Sequence, residues 1–386
     1  MQTRYAVRAC ISLAILCVSF SCLASDTELA VLKRRVVRNY AAVAFAAYSD
    51  SLAGVKKLRA EIDHFLTNPT PEAMAQARRA WTDSRRPYVQ TEVLRFIDGP
   101  IETVEARINA WPIDEHYIDY VEDDPKAGLI NNTARCPKVK REVLVEMNEK
   151  EGEKNICLGF HAIEFMLWGQ DFNTNGAGNR PISDFQGTSE AVQRRCQYLR
   201  IVADLLVQDL ETVVKAWEPE LRGNYHETFL ALPSDEALGL VIKGVGTLSR
   251  AELAGERLTV ALETKEQEDE HSCFSDTTHL DVIGNAVGIQ NIYLGRYETT
   301  DGRTIQGPGL RELIAHADHA LAEKLTREIE TSVEATRRIP PPFDQAILGR
   351  DDTPGRMAIR QAIKSLEAQT DSLARAAAVL NIKLNL

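Results

Sequence analysis

The sequence predicts an all-α protein of two helical bundles lying side by side, and three observations carry that prediction. Apolar residues recur at helical intervals through most of the chain, alternating strand patterns are scarce, and prolines stand where helices would start or stop. Pro219 and Pro233-Ser234 bracket a softer stretch that separates residues 26–218 from residues 235–386. Each half then supplies about four helices, enough for a bundle to bury its apolar stripes.

Taken in order, Asp26 to Thr67 reads as one long helix or two, ending at Asn68-Pro69-Thr70-Pro71. A second helix opens at Pro71-Glu72, where proline is favoured, and runs through Trp81 to Phe96, where Asp98-Gly99-Pro100 stops it. Cys157 to Gly169 is a third, and Glu190 to Trp217 is long and amphipathic. In the second half, Leu240 to Thr264, Asp281 to Tyr297, Leu310 to Arg338 and Thr353 to Leu380 read as helices, with Pro340-Pro341-Pro342 ending the third of these sharply.

Arg4 and Arg8 precede an apolar run from Ala9 to Phe20, and Cys22-Leu23-Ala24 leads into Ser25-Asp26. This is the pattern of a secretory signal over residues 1–24, so the mature protein is expected in the periplasm or cell envelope. Lipid anchoring at Cys22 is disfavoured by Phe20, where such signals carry a small residue. No later segment approaches the roughly 20 apolar residues of a membrane span. Loss of Arg4 and Arg8 moves the formal charge from −11 to −13, which suits cations and argues against nucleic acid or anionic membrane as partners. Four cysteines remain, Cys136, Cys157, Cys196 and Cys273; a Cys136–Cys157 bridge would close a short loop ahead of the third helix, and buried free thiols are the alternative.

Within that helix His161 and Glu164 stand alone in an apolar run, Leu158 to Gly169. Three residues apart, they share one face and can reach one ion. Burying either without a partner costs several kcal/mol, so partners must converge on them. A metal ion is one such partner; a polar core pair braced by an arginine is the other. Imidazole and carboxylate together suit iron, zinc or manganese, so the ligand chemistry narrows the metal without deciding it.

On the helix from Trp81 to Phe96, Arg85, Tyr88, Glu92 and Arg95 share a stripe, while Val89, Val93 and Phe96 form an apolar one. The charged stripe faces either water or a polar cavity. In the cavity reading Glu92 is a third metal ligand, and Arg85 or Arg95 neutralises a carboxylate or holds an anion bound to the metal. A third constellation is Glu268 to His279, where Glu268 with His271, and Asp276 with His279, repeat the three-residue spacing. A solvated acidic loop is the alternative there. Asp114 and His116 are outside candidates, and His316 and His319 rank below them.

Four ordered stretches resemble the imelysin family, in particular its iron-regulated branch. They are Trp81 to Asp98 (WTDSRRPYVQTEVLRFID), Asn109 to Tyr120 (NAWPIDEHYIDY), Gly159 to Asp171 (GFHAIEFMLWGQD) and Glu268 to His279 (EDEHSCFSDTTH). The third contains Gly-x-His-x-x-Glu as Gly159, His161 and Glu164. The resemblance covers most of the chain after residue 25. It implies paired bundles with a cleft between them, in which Glu268 to His279 completes the site. It also implies an exported metal-binding protein of iron uptake or homeostasis, whose partners would be a metal ion or chelate and an envelope iron-transport system. Founding members are classed as peptidases, which makes a metallopeptidase the alternative. However, the only His-Glu, His226-Glu227, is followed by Thr228-Phe229-Leu230 without the second histidine of a zincin, and the inverted motif fails at Phe165. A scaffold or haem-binding module without its own metal is the third reading.

Overall fold

The computed structural model describes residues 3–173 and 175–384, with side chains from residue 27 onward, so the signal segment and Cys22 lie outside the described side chains. The chain is all-α. Its principal helices are α1 (Thr3–Thr67), α2 (Pro71–Val89), α3 (Gly159–Trp168), α4 (Glu190–Trp217), α5 (234–264), α6 (Thr278–Leu294), α7 (Leu310–Ala317), α8 (His319–Arg337) and α9 (Pro354–Val379). Among the described residues no helix is long and apolar enough to cross a membrane.

α1 packs along α2 and α4, and α8 along α9. The larger core runs from Val36, Tyr48 and Trp81 through Phe160, Leu206 and Trp217 to Leu238, Tyr293 and Leu310. A smaller one gathers Leu253, Leu258, Val282, Phe343 and Leu366. α2 starts as expected, with Pro71 in its first turn and Thr70 Oγ1 accepting from Ala73 N. α4 has the bounds read from its periodicity.

The expected helix to Phe96 instead stops at Val89. Pro87 offers no amide to the helix, and the Thr91 hydroxyl donates to Tyr88 O at 2.6 Å, so the ladder ends there. A short 3₁₀ turn, Glu92–Leu94, follows, and Phe96 and Asp98 adopt left-handed backbone. The Leu310 to Arg338 element is two helices, because Asp318 leaves α7 and caps α8 through Leu321 N at 2.9 Å. α5 is unbroken, but Leu248–Thr259 is wound as a π-helix. A hairpin of Arg296–Glu298 (β1) and Thr304–Gln306 (β2), with Tyr297 opposite Ile305, follows α6; strands this short leave no readable alternation.

The Cys136–Cys157 bridge is also corrected, since all four described cysteines are free. Cys157 Sγ turns to Leu144 O at 3.4 Å and Cys136 Sγ to Lys138 O at 3.5 Å.

The long connection between α2 and α3 is held by Asp119, which is fully buried. Arg195 grips it through both oxygens at 2.7 and 2.9 Å, Arg180 donates at 2.8 Å and Asn131 at 3.0 Å. Asp119→Ala would strand two buried guanidinium groups, and a loss of about 3–5 kcal/mol in unfolding free energy is expected by urea titration. An unchanged midpoint would mean that water replaces the carboxylate without penalty.

Candidate metal centre

Gly159 begins the local construction. Its φ is +87°, and a Cβ there would lie 2.5 Å from Ile108 O, so only glycine lets α3 start against the 105–109 segment. Trp81 Nε1 then donates to Phe160 O at 2.9 Å and Arg78 to Leu167 O, which fixes α3 against α2. His161 and Glu164 are consequently buried, exposed by 1% and 0%.

His161 Nδ1 lies 2.8 Å from Glu164 Oε2. The other carboxylate oxygen accepts from Ser275 N at 3.0 Å and Ser275 Oγ at 2.7 Å. Burial pushes the Glu164 carboxyl up to about 8, and the Ser275 donors only partly offset this. Burial and then the nearby Arg85 charge hold the His161 imidazole well below its ordinary value.

A second imidazole meets the first. His271 is also buried, and its ring lies 4.8 Å from that of His161 at 63°. Its Nδ1 lies 2.8 Å from Asp281 Oδ2, which also accepts from Arg85 Nη2 and Ser272 Oγ, each at 2.6 Å. Burial, then the Arg257 charge, brings His271 down to about 4. Asp281 is kept ionised because Arg85 and His271 outweigh the cost of its burial. His271, neutral beside the ionised Asp281, therefore carries its proton on Nδ1 and leaves Nε2 with a free lone pair, whereas His161 reaches that state only when the neighbouring Glu164 gives up its proton. Nε2 of both His161 and His271 is buried without a hydrogen-bond partner.

Around this pair lies a shell of compensated charge. Arg85 is stacked near Trp81, Tyr88 and Phe160, and also donates to Asn109 Oδ1. Asn109 donates onward to Glu92 Oε1 at 3.0 Å. Glu92 is held at 2.6 and 2.7 Å by both terminal nitrogens of Arg257, which the π-wound part of α5 supplies, and Asn285 donates to it at 2.6 Å. Burial opposes Glu92 ionisation, but the Arg257 pairing prevails and lowers it to about 2. Gly288 allows this approach, since a Cβ there would sit 2.5 Å from Gln90 O.

The structure therefore brings His161, Glu164, His271 and Arg85 together, with Tyr88 in the aromatic wall. Both Glu92 oxygens are engaged by Arg257, Asn109 and Asn285, and Arg95 pairs with Glu105 at 3.2 Å. Glu268 is exposed, and Asp276 and His279 are half-buried beyond the short 3₁₀ turn Gln267–Asp269 rather than on one helix with Glu268. Sequence reading missed Asp281, Asn109, Arg257, Asn285 and Ser275. Ser275 and Asn109 lie inside the motif stretches, whereas Arg257 and Asn285 look like any polar residue of an amphipathic helix. Among the described residues, no three His, Cys, Asp or Glu side chains are arranged to hold a metal ion unaided.

These groups set the pH response of the metal-free protein. The two histidines titrate below 6.5, so the unfolded chain binds more protons than the folded one only up to about that pH. Glu164 does the opposite, keeping in the folded state, up to about 8, a proton that the unfolded chain releases near 4.5. Through Glu164, unfolding free energy should fall from pH 6.5 to pH 8 by on the order of 2 kcal/mol more in wild type than in Glu164→Gln, since Glu115, Asp276 and Glu270 are also raised and contribute in both proteins. Denaturant titrations of the two proteins at the two pH values check this, and equal slopes would mean that Glu164 is already ionised at neutral pH.

Residues 44–373 match the family model for imelysin, peptidase family M75. Iron-regulated protein A of Synechococcus elongatus is 24% identical over 341 residues, covering 86% of this chain and 82% of the cyanobacterial protein. The crystal structure of an iron-regulated protein A precursor from Parabacteroides distasonis superposes with a TM-score of 0.72 at 19% identity, over 91% of this chain and 95% of that one. An imelysin-like protein from Psychrobacter arcticum does so with a TM-score of 0.64 at 13% identity, over 92% and 98%. The two superpositions show a shared fold, and the extent of the family match shows that the chain belongs to the imelysin family.

Proposed function

We propose that the protein is an exported metal-binding component of bacterial iron uptake or homeostasis, acting with an envelope transport system, and that His161 and His271 hold its cargo. The observation that carries this reading is the pair of buried imidazoles, each with Nδ1 on a carboxylate and an unpartnered Nε2. Carboxylate-oriented histidines of this kind are the usual way a protein fixes the ring and tautomer of a metal ligand. Leaving two such nitrogens buried and unpaired is costly unless something binds them. The ligand set favours a borderline metal, ferrous iron or zinc, and the names of the relatives favour iron. Coordination completed by water or by a chelator fits the lack of a third protein donor. In this reading the cargo lies where the proposed bundles, 26–218 and 235–386, meet.

Glu164 is in this account an orienting group rather than a ligand. An amide at position 164 would present its oxygen to Ser275 N–H and its NH₂ to His161 Nδ1, which moves the imidazole proton to Nε2 and blocks coordination. Glu164→Gln should therefore lose metal as completely as His161→Ala or His271→Ala. The test is metal analysis of mature protein purified without chelator and challenged with ferrous, ferric and zinc ions. One equivalent of iron or zinc is expected in wild type and less than about a tenth of that in each variant, since removing a ligand or its orienting partner costs tenfold or more. Affinity should also rise about tenfold per pH unit up to about pH 8, where the proton shared by His161 and Glu164 ceases to compete. Wild-type loading by Glu164→Gln would remove the orienting role, and no metal in any form would favour the scaffold reading. Peptide hydrolysis that requires His161 would instead support the metallopeptidase.

A further inference from the structure

Any ion that reaches the imidazole pair has to pass a wall of protein. Both histidines, Arg85, Asp281, Ser272 and Phe160 are all buried. One ring joins this interior to the surface: Trp111 is half-buried, and its indole stands edge-on against the His271 imidazole, with centroids 5.6 Å apart and planes at 82°.

The two sides of that contact are held very differently. On the His271 side, Ser272 N donates to Thr278 Oγ1 at 2.9 Å and Ser272 Oγ to Asp281 at 2.6 Å, Ser275 donates twice to Glu164, and Phe274 O accepts from Gly178 N at 2.9 Å. The Trp111 side is a strap without regular structure, running from the end of the Glu105–Ile108 turn to the cap of the Glu115–Ile118 turn. Its ends are fixed. Asn109 accepts from Arg85 and donates to Glu92, and Asp114 N donates to Lys154 O at 2.8 Å. Between them, residues 110–113 make one hydrogen bond among the described residues, from Trp111 Nε1 to Glu270 O at 2.8 Å, while Ile113 packs against the larger core. Swinging the indole outward breaks that bond and one ring contact, whereas the opposite side cannot move without giving up all of its ties. Local openings that break so few contacts occur far more often than unfolding.

We infer that the Trp111 indole is the gate of the imidazole pair: its displacement opens the way to His271 Nε2, so it sets how fast an ion enters and leaves, not how tightly the ion is held. The inference takes the pair as the cargo site proposed above, but access to the ring can be measured with no metal present. A gate that blocks the path in both directions changes loading and release by one common factor.

Metal-free mature protein is treated with diethyl pyrocarbonate, which acylates a free imidazole lone pair, and carbethoxylation of His271 is followed by peptide mass spectrometry. His271 should react at least about tenfold faster in Trp111→Ala than in wild type, and about fivefold faster in Trp111→Phe, which keeps a ring but loses the hydrogen bond. Labelling of Cys157, fully buried in the larger core, by a thiol reagent should stay unchanged. Zinc loading, and zinc release to excess chelator, should both quicken in Trp111→Ala by the same factor, with Kd within about twofold of wild type. If Trp111→Ala does not fold, Trp111→Phe carries the test. Equal carbethoxylation in the variants and wild type overturns the gate whatever the metal result, and so does Cys157 labelling that rises in step with His271, which would show general loosening. Unchanged zinc rates beside faster carbethoxylation overturn Trp111 as the route of the ion. Faster carbethoxylation in proteins that take up no metal supports the gate and sinks the metal site instead.

Discussion

The ion pair between Arg85 and Asp281, 2.6 Å long and almost wholly out of water, is the constraint from which the rest of the interior follows. A guanidinium cannot shed its proton, so burying Arg85 demands a carboxylate, and Asp281, 196 residues away in sequence, is the one that reaches it. Once Asp281 is ionised it dictates the tautomer of His271. Arg257 repeats the requirement, and Glu92 answers it. Two positive and two negative charges thus close on each other beneath the imidazoles and leave the histidines neutral.

Glu164 obeys the opposite rule. Among the described residues it has donors but no lysine or arginine paired with it, and it holds its proton to about 8 where Glu92 loses one near 2. Two buried glutamates with such different proton affinities serve different ends: one is structural counter-charge, the other a proton reservoir beside His161. Ser275 couples that reservoir to the 265–277 connection, since both of its donors end on one Glu164 oxygen.

The helical architecture was legible because periodicity is a property of many residues at once, and α4 shows this most clearly. Boundaries were less so where a single hydrogen bond decides them: Thr91 ends α2 early, and Asp318 divides what reads as one helix. His161 and Glu164 could be singled out because polar residues in an apolar run demand partners, and the Gly159 requirement lies in the same motif. The partners themselves were harder to read. Helical spacing placed Glu92 on a stripe with Arg85 by the wrong geometry, since the two are joined through Asn109 after the helix has ended. Asp281, Arg257 and Asn285 carry no local signal, because their role depends on contacts across more than 160 residues in the pairs Arg85–Asp281, Arg257–Glu92 and Asn285–Glu92.

The imidazole pair has one member at position 161 and the other at 271, with the anchoring carboxylate at 281. No amino-terminal fragment shorter than that contains the pair, however well its helices form. A chain still emerging from the ribosome thus lacks the pair, and the meeting of the two rings is a property of the finished fold. The pair is a mark of completed assembly: only a molecule whose distant segments have found each other brings the two rings together.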